Sequence, residues 1–115
     1  MPRVLVIDWN LVYAKKVAKA LRELVPTLEV DTATNSFETE RRLEQNKDYD
    51  LILVDAGISF DPGRLRDILS QISTPKIFWT VEGGPLEIDR PQIHKPQLDD
   101  IMASLSREVV PALRL

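Results

Sequence analysis

The sequence contains no cysteine. That excludes disulfides and thiolate metal sites and is compatible with a reducing compartment. Glycine is scarce, with four in 115 residues. Two of these are adjacent, Gly83 and Gly84, which is no glycine fingerprint, and the first strand-to-helix turn has none, so a nucleotide-phosphate loop is not expected. Charge of one sign is also lacking. Fifteen basic against 18 acidic residues leave a formal net charge of −3, which offers no attraction to nucleic acid or to a membrane surface. No recognition helix or basic stripe suggests DNA binding. No apolar run approaches the roughly 20 residues that cross a bilayer, and Met1-Pro2-Arg3 leads directly into a strand with no signal-peptide pattern. Histidine occurs once, as His94, and reads as a structural or surface residue. What remains is a single soluble domain over residues 1–115, cytoplasmic by default and long enough to bury a real core.

The residues present alternate between strand-length and helix-length patterns. Val4 to Ile7 is a continuous apolar run, as in a strand covered on both faces. Asn10 is placed to cap a helix. Ala14, Val17, Ala18, Leu21, Leu24 and Val25 make one apolar stripe at helical spacing, and Pro26 stops it. Leu28 to Ala33 alternates, which suits a strand nearer the sheet edge. Asn35 and Glu38 form a capping pair for a charged helix over residues 36–46, anchored mainly by Phe37 and Leu43 and expected to pack least firmly.

The third strand, 51–54, ends at Asp55. Asp61-Pro62 opens a helix carrying Leu65, Ile68, Leu69 and Ile72. Residues 76–80 form a fourth strand, residues 82–91 a Gly- and Pro-rich loop, and a short fifth strand precedes Lys95-Pro96. The last helix carries Leu98, Ile101, Met102, Leu105 and Val109 and ends at Pro111. This order predicts an α/β domain, with a parallel sheet, right-handed crossovers and helices on both faces.

Four polar residues close four of these strands: Asp8, Asp55, Thr80 and Lys95. In an open parallel sheet the C-terminal strand ends share one edge, where ligands bind. Two carboxylates, a hydroxyl and an ammonium can hold a divalent cation and a phosphoryl group. Asp55 is the candidate nucleophile, accepting phosphoryl as an acyl phosphate. Such a step needs a cation to offset charge, and Mg²⁺ is suited by a few carboxylates and retained waters. Asp8 supplies the second carboxylate, Lys95 a point charge for the phosphate, and Thr80 a hydroxyl that bonds only the phosphorylated state.

In these motifs the chain resembles the receiver domain of two-component response regulators, the CheY-like family. Val4-Leu5-Val6-Ile7-Asp8 is similar to that family's first strand, and Tyr49 to Asp55 to the strand with the phosphoacceptor. Thr80 stands at the switch position, and Lys95-Pro96 at the invariant lysine and its proline. The resemblance covers nearly the whole chain. It implies a flavodoxin-like three-layer α/β/α fold, a five-stranded parallel sheet of order 2-1-3-4-5, and phosphotransfer from a histidine kinase or small phosphodonor. It assigns Asp55, Thr80 and Lys95 to the phosphoryl chemistry, and Asp8, Asp55 and the Gly57 carbonyl to Mg²⁺.

Three departures accompany it. The second acid normally following the first strand is Trp9 here, so Mg²⁺ should bind weakly. Ala56-Gly57-Ile58-Ser59 lacks the usual Met-Pro. Between Thr80 and Lys95 only 14 residues remain, so the fourth helix is expected to be missing or shortened. Gln92 stands near the place of the family's aromatic switch residue, and Trp79 either covers the gap left by that helix, or is ordinary core, or marks a partner site.

The expected function is phosphorelay signalling through Asp55, with output by protein–protein contacts to an effector or by homodimerisation. The chain is not expected to be an enzyme beyond turnover of its own Asp55 phosphate. The alternative is a pseudo-receiver, an interaction module that is not phosphorylated. A third reading, a haloacid-dehalogenase-like phosphatase using Asp8, is opposed by Asn10, which stands where that family has its general acid.

Overall fold

Strand-length apolar runs build the centre of the molecule, seen in a computed structural model that describes residues 2–46, 48–57, 62–80 and 93–113. Five parallel strands form one sheet: β1 (Arg3–Ile7), β2 (Glu29–Ala33), β3 (Leu51–Asp55), β4 (Lys76–Thr80) and β5 (Ile93–His94). Their order is β2-β1-β3-β4-β5, as the resemblance implies. The helices between them are α1 (Leu11–Leu24), α2 (Ser36–Gln45) and α3 (Pro62–Ser70). A fourth, α4 (Ile101–Ser104), belongs to a longer helical stretch near the C-terminus.

Alternation along the strands divides the core into two layers. Val4, Val6, Leu51, Leu53 and Trp79 pack with α1 and with Ile101, Leu105 and Val109. Leu5, Ile7, Ile52, Val54 and Phe78 pack with Leu65 and Leu69 of α3. Central β3 is buried along its whole length, in keeping with the unbroken apolar run from Leu51 to Val54 that precedes Asp55.

Trp79 is one of these core residues, almost wholly enclosed. It lies on the α1 side. Trp79 thus sits as a core residue, one of the readings the sequence allowed, and its reading as an exposed partner site is corrected. The expected loss of the fourth helix, the 82–91 loop and Gln92 fall outside the described residues, as do Ile58, Ser59 and the Asp61 cap.

The caps follow the sequence closely. Asn10 Oδ1 accepts the Tyr13 N–H at 3.1 Å, and Asn35 Oδ1 accepts the Glu38 N–H at 2.8 Å. The return bond differs from expectation: Glu38 Oε1 accepts from the Thr34 N–H at 2.8 Å, and from the Thr34 hydroxyl, one residue before the cap. Those bonds hold the Glu38 carboxyl below its ordinary pKa.

Phe37 does not anchor α2. It is exposed, whereas Ser36 and Thr39 are buried and Leu43 packs partly on the core. Positions 36, 39 and 43 share the inward face of a 3.6-residue period, and 37 is rotated about 100° from 36.

The last helix also departs from expectation, because helical turns continue past Pro111. A 3₁₀ turn at Leu98–Asp100 leads into α4, then a π turn spans Leu105–Val109 and a second 3₁₀ turn spans Val110–Leu113. The Val110 N–H bonds the Leu105 carbonyl. Proline lacks an N–H and crowds the carbonyl four residues back, so the helix widens before Pro111 and tightens after it.

The outer edge of β2 is guarded. Glu29 and Ala33 bond inward to Pro2 and Asp8, which leaves the Val30 and Thr32 carbonyls facing outward. Arg22 of α1 donates to Val30 O at 2.9 Å, and Arg42 of α2 to Thr32 O at 3.2 Å. Two charged side chains over an edge strand discourage pairing with another chain there. Among the described residues no helix is long and apolar enough to cross a membrane.

Candidate functional site

Because all five strands run the same way, their C-terminal ends line one rim. Three backbone bonds extend the ladder to that rim: Asp8 N–H to Ala33 O at 3.0 Å, Ala56 N–H to Trp79 O at 2.8 Å and Lys95 N–H to Thr80 O at 2.8 Å. The side chains of Asp8, Asp55 and Lys95 converge there, with Thr80 beside them.

These groups are buried: Asp8 is 1% exposed, Asp55 3%, Thr80 8% and Lys95 8%. Lys95 Nζ donates to Asp8 Oδ2 at 2.7 Å and to Asp55 Oδ2 at 3.0 Å. One ammonium thus bridges two carboxylates. The remaining oxygens are also held: Asp8 Oδ1 accepts the Asn10 N–H and Asp55 Oδ1 the Gly57 N–H, each at 2.9 Å. The sequence specifies these local turns, since a side-chain oxygen reaching the amide two residues on is the Asx turn that Asp favours.

The cluster of two acids and one lysine carries a formal excess of one negative charge. Burial pushes the Asp8 carboxyl above its ordinary pKa, Asp55 adds to the rise, and bonds from Lys95 and the Asn10 amide oppose it.

Gly57 lies where space matters. A Cβ on it would stand 3.2 Å from Asp55 Oδ1 and 3.6 Å from Thr80 Oγ1. Its absence leaves the approach between carboxylate and hydroxyl open. Thr80 therefore faces the Asp55 end of the site, as its strand-end position suggested.

One residue at the site was not picked out from sequence. Tyr13, in the first turn of α1, places its ring centroid 4.0 Å from Lys95 Nζ. Its hydroxyl donates to Pro96 O at 2.6 Å, and its ring meets Trp79 edge-on, with centroids 6.1 Å apart and planes at 82°. The signal available was positional: α1 begins three residues after Asp8, so its first turn flanks the rim. His94 is exposed on β5, in keeping with a surface residue.

The donor set fits a hard, hydrated cation held at few points. Each carboxylate oxygen offers about two acceptor positions, and the four bonds described above take one on each, which leaves acceptor capacity for a cation. Among the described residues no group of three or more His, Cys, Asp or Glu gathers as a metal site. Trp9, about half exposed, adds no acceptor beside Asp8. The chemistry is therefore that of a two-carboxylate site, which Mg²⁺ accepts while keeping several waters.

No family model and no curated protein matches the sequence. Solved structures do match. A response regulator receiver protein from Burkholderia phymatum shares 21% identity at a TM-score of 0.73, covering 100% of this chain and 97% of that one. The non-phosphorylated HemR receiver domain from Leptospira biflexa shares 20% at 0.69, covering 100% and 96%. The chemotaxis response regulator CheY4 of Vibrio cholerae shares 21% at 0.67, covering 93% and 98%. At this identity the likeness is one of fold, and the chain has the flavodoxin-like receiver fold.

Proposed function

We propose that this receiver-fold chain is a phosphorelay module that accepts a phosphoryl group on Asp55. The observation that carries the reading is the single Lys95 ammonium bridging the two rim carboxylates at 2.7 and 3.0 Å. Two buried acids share one ammonium, so an excess negative charge is buried at a cost, and such arrangements cluster at functional sites.

The chemistry is a displacement at phosphorus. One Asp55 carboxylate oxygen forms the new P–O bond. The bond from phosphorus to the donor breaks, either to the ring nitrogen of a kinase phosphohistidine or to the oxygen of a small acyl phosphate. The donor keeps the electron pair and, where basic enough, takes a proton from water. Lys95 neutralises charge on the incoming phosphoryl oxygens. Thr80, across the Gly57 opening, donates a hydroxyl hydrogen bond to the product. A divalent cation such as Mg²⁺, held by Asp8, Asp55 and the Gly57 carbonyl, would lower the repulsion between carboxylate and phosphate.

The partners in this reading are a histidine kinase or small phosphodonor in the cytoplasm, and an effector protein or second copy that reads the changed rim. A second reading has one observation in its favour. Trp9, exposed where a third acid would strengthen the cation site, suits an interaction module that is not phosphorylated.

Incubation with acetyl phosphate and Mg²⁺, followed by intact-mass measurement, separates the two. The phosphorelay reading expects one added phosphoryl group in the native chain and none in Asp55→Asn. No adduct in the native chain across a range of Mg²⁺ concentrations favours the interaction module.

A further inference from the structure

The ammonium of Lys95 has three donors, and the two carboxylates engage two of them. The Tyr13 ring lies over the same ammonium, its centroid 4.0 Å from Nζ. The same tyrosine grips the next residue, through its hydroxyl on the Pro96 carbonyl at 2.6 Å. Burial, together with the negative charge of Asp8 and Asp55, raises the Tyr13 pKa, so the hydroxyl stays protonated and remains a donor. The ring's own angle is fixed from behind by the edge-on contact with buried Trp79.

We infer that Tyr13 is a positioning residue, whose ring confines the Lys95 ammonium to the two carboxylates and whose hydroxyl ties the Lys95-Pro96 segment to α1. The aromatic face is electron-rich and attracts a cation most strongly where water is excluded, as it is around a lysine 8% exposed. The ring needs no negative charge to do this, so it holds the lysine without adding to the excess charge of the acid pair. Tyr13 also touches Trp79, the neighbour of Thr80, so one side chain contacts the surroundings of both the lysine and the hydroxyl. For its catalytic consequence the inference rests on the phosphorelay reading, but its structural part does not.

The test uses the whole chain labelled with ¹⁵N-lysine and studied by NMR without any phosphodonor. In the native protein the Lys95 side-chain protons nearest the nitrogen should be shifted upfield by the ring, and the ammonium protons should exchange slowly. Tyr13→Leu should speed that exchange at least about fivefold, and Tyr13→Phe, which keeps the ring, should stay within about twofold of native. Phosphoryl uptake from acetyl phosphate should follow the same order, slowed in Tyr13→Leu and rescued in Tyr13→Phe.

Absence of the upfield shift in the native protein overturns the inference, and needs no variant that folds. So does a well-folded Tyr13→Leu with native exchange, and so does Tyr13→Phe exchanging as fast as Tyr13→Leu, because the hydroxyl alone would then hold the lysine. A native protein with the shifted, slowly exchanging signals but no phosphoryl uptake defeats the phosphorelay reading and upholds the positioning of Lys95.

Discussion

Replacing Lys95 with methionine is expected to destabilise the protein by about 3–5 kcal/mol near neutral pH, the usual cost of leaving buried charge without its partner. The side chain lost is the common counter-ion of Asp8 and Asp55, both nearly inaccessible to water. Methionine fills similar volume, so the loss is electrostatic rather than a cavity.

The pH dependence has a definite sign. Burial already raises the Asp8 carboxyl above its ordinary value with Lys95 in place. Without the ammonium, one opposing influence is gone and the folded-state value rises further. A carboxyl whose folded pKa exceeds its unfolded one binds more protons when folded, so stability falls as pH rises between the two values. The penalty of Lys95→Met is therefore full above the raised folded value. It shrinks as pH falls through the raised folded value, and is small below about pH 4, where the unfolded chain protonates as well. Urea unfolding of native and variant proteins at several pH values measures this. A penalty below about 1 kcal/mol at neutral pH, or one that does not change on acidification, contradicts the bridging role.

Replacing Trp9 with aspartate should raise Mg²⁺ affinity at least about tenfold, through a third carboxylate at a site that has two. Position 9 follows Asp8 directly at the rim, and the native indole there is half exposed, so the change empties no core volume. The added charge takes the cluster's formal excess from one negative to two, and a divalent cation gains most from that at close range. Titration calorimetry with Mg²⁺ reads the affinity. Unchanged affinity would mean that Asp8 and Asp55 do not form the cation site.

Much of this arrangement was legible because strand ends are easy to find and parallel topology gathers them. Asp8 and Asp55 close apolar runs and Lys95 follows a short strand, and alternation in β/α order makes the strands parallel, so their convergence needed no side-chain geometry. Less legible was anything that depends on the rotation of a helix or the parity of a strand. Phe37 looked like an anchor on hydrophobicity alone, yet it lies off the stripe of Ser36, Thr39 and Leu43. Trp79 read equally as cover for a gap or as ordinary core, and only its register opposite Asp55 puts it in the core with Leu51 and Leu53 on the α1 side.

Tyr13 escaped notice for a related reason. Its partner is 82 residues away, and the contact depends on how α1 lies across the sheet. Pro111 correctly marks a break in α-helical bonding, but packing of Leu105, Val109 and Leu113 on the core holds further turns beyond it.

The central claim is that the pocket around Asp55 and Lys95 receives a phosphoryl group. Beryllium fluoride, a phosphoryl mimic that binds a carboxylate and does not turn over, tests it without interference from hydrolysis of an acyl phosphate. With Mg²⁺ present, ¹⁹F NMR of the native chain should show bound fluoride resonances, absent in Asp55→Asn and weakened in Lys95→Met. A native chain with only free-fluoride signals, at concentrations where the fold is intact, would contradict the account.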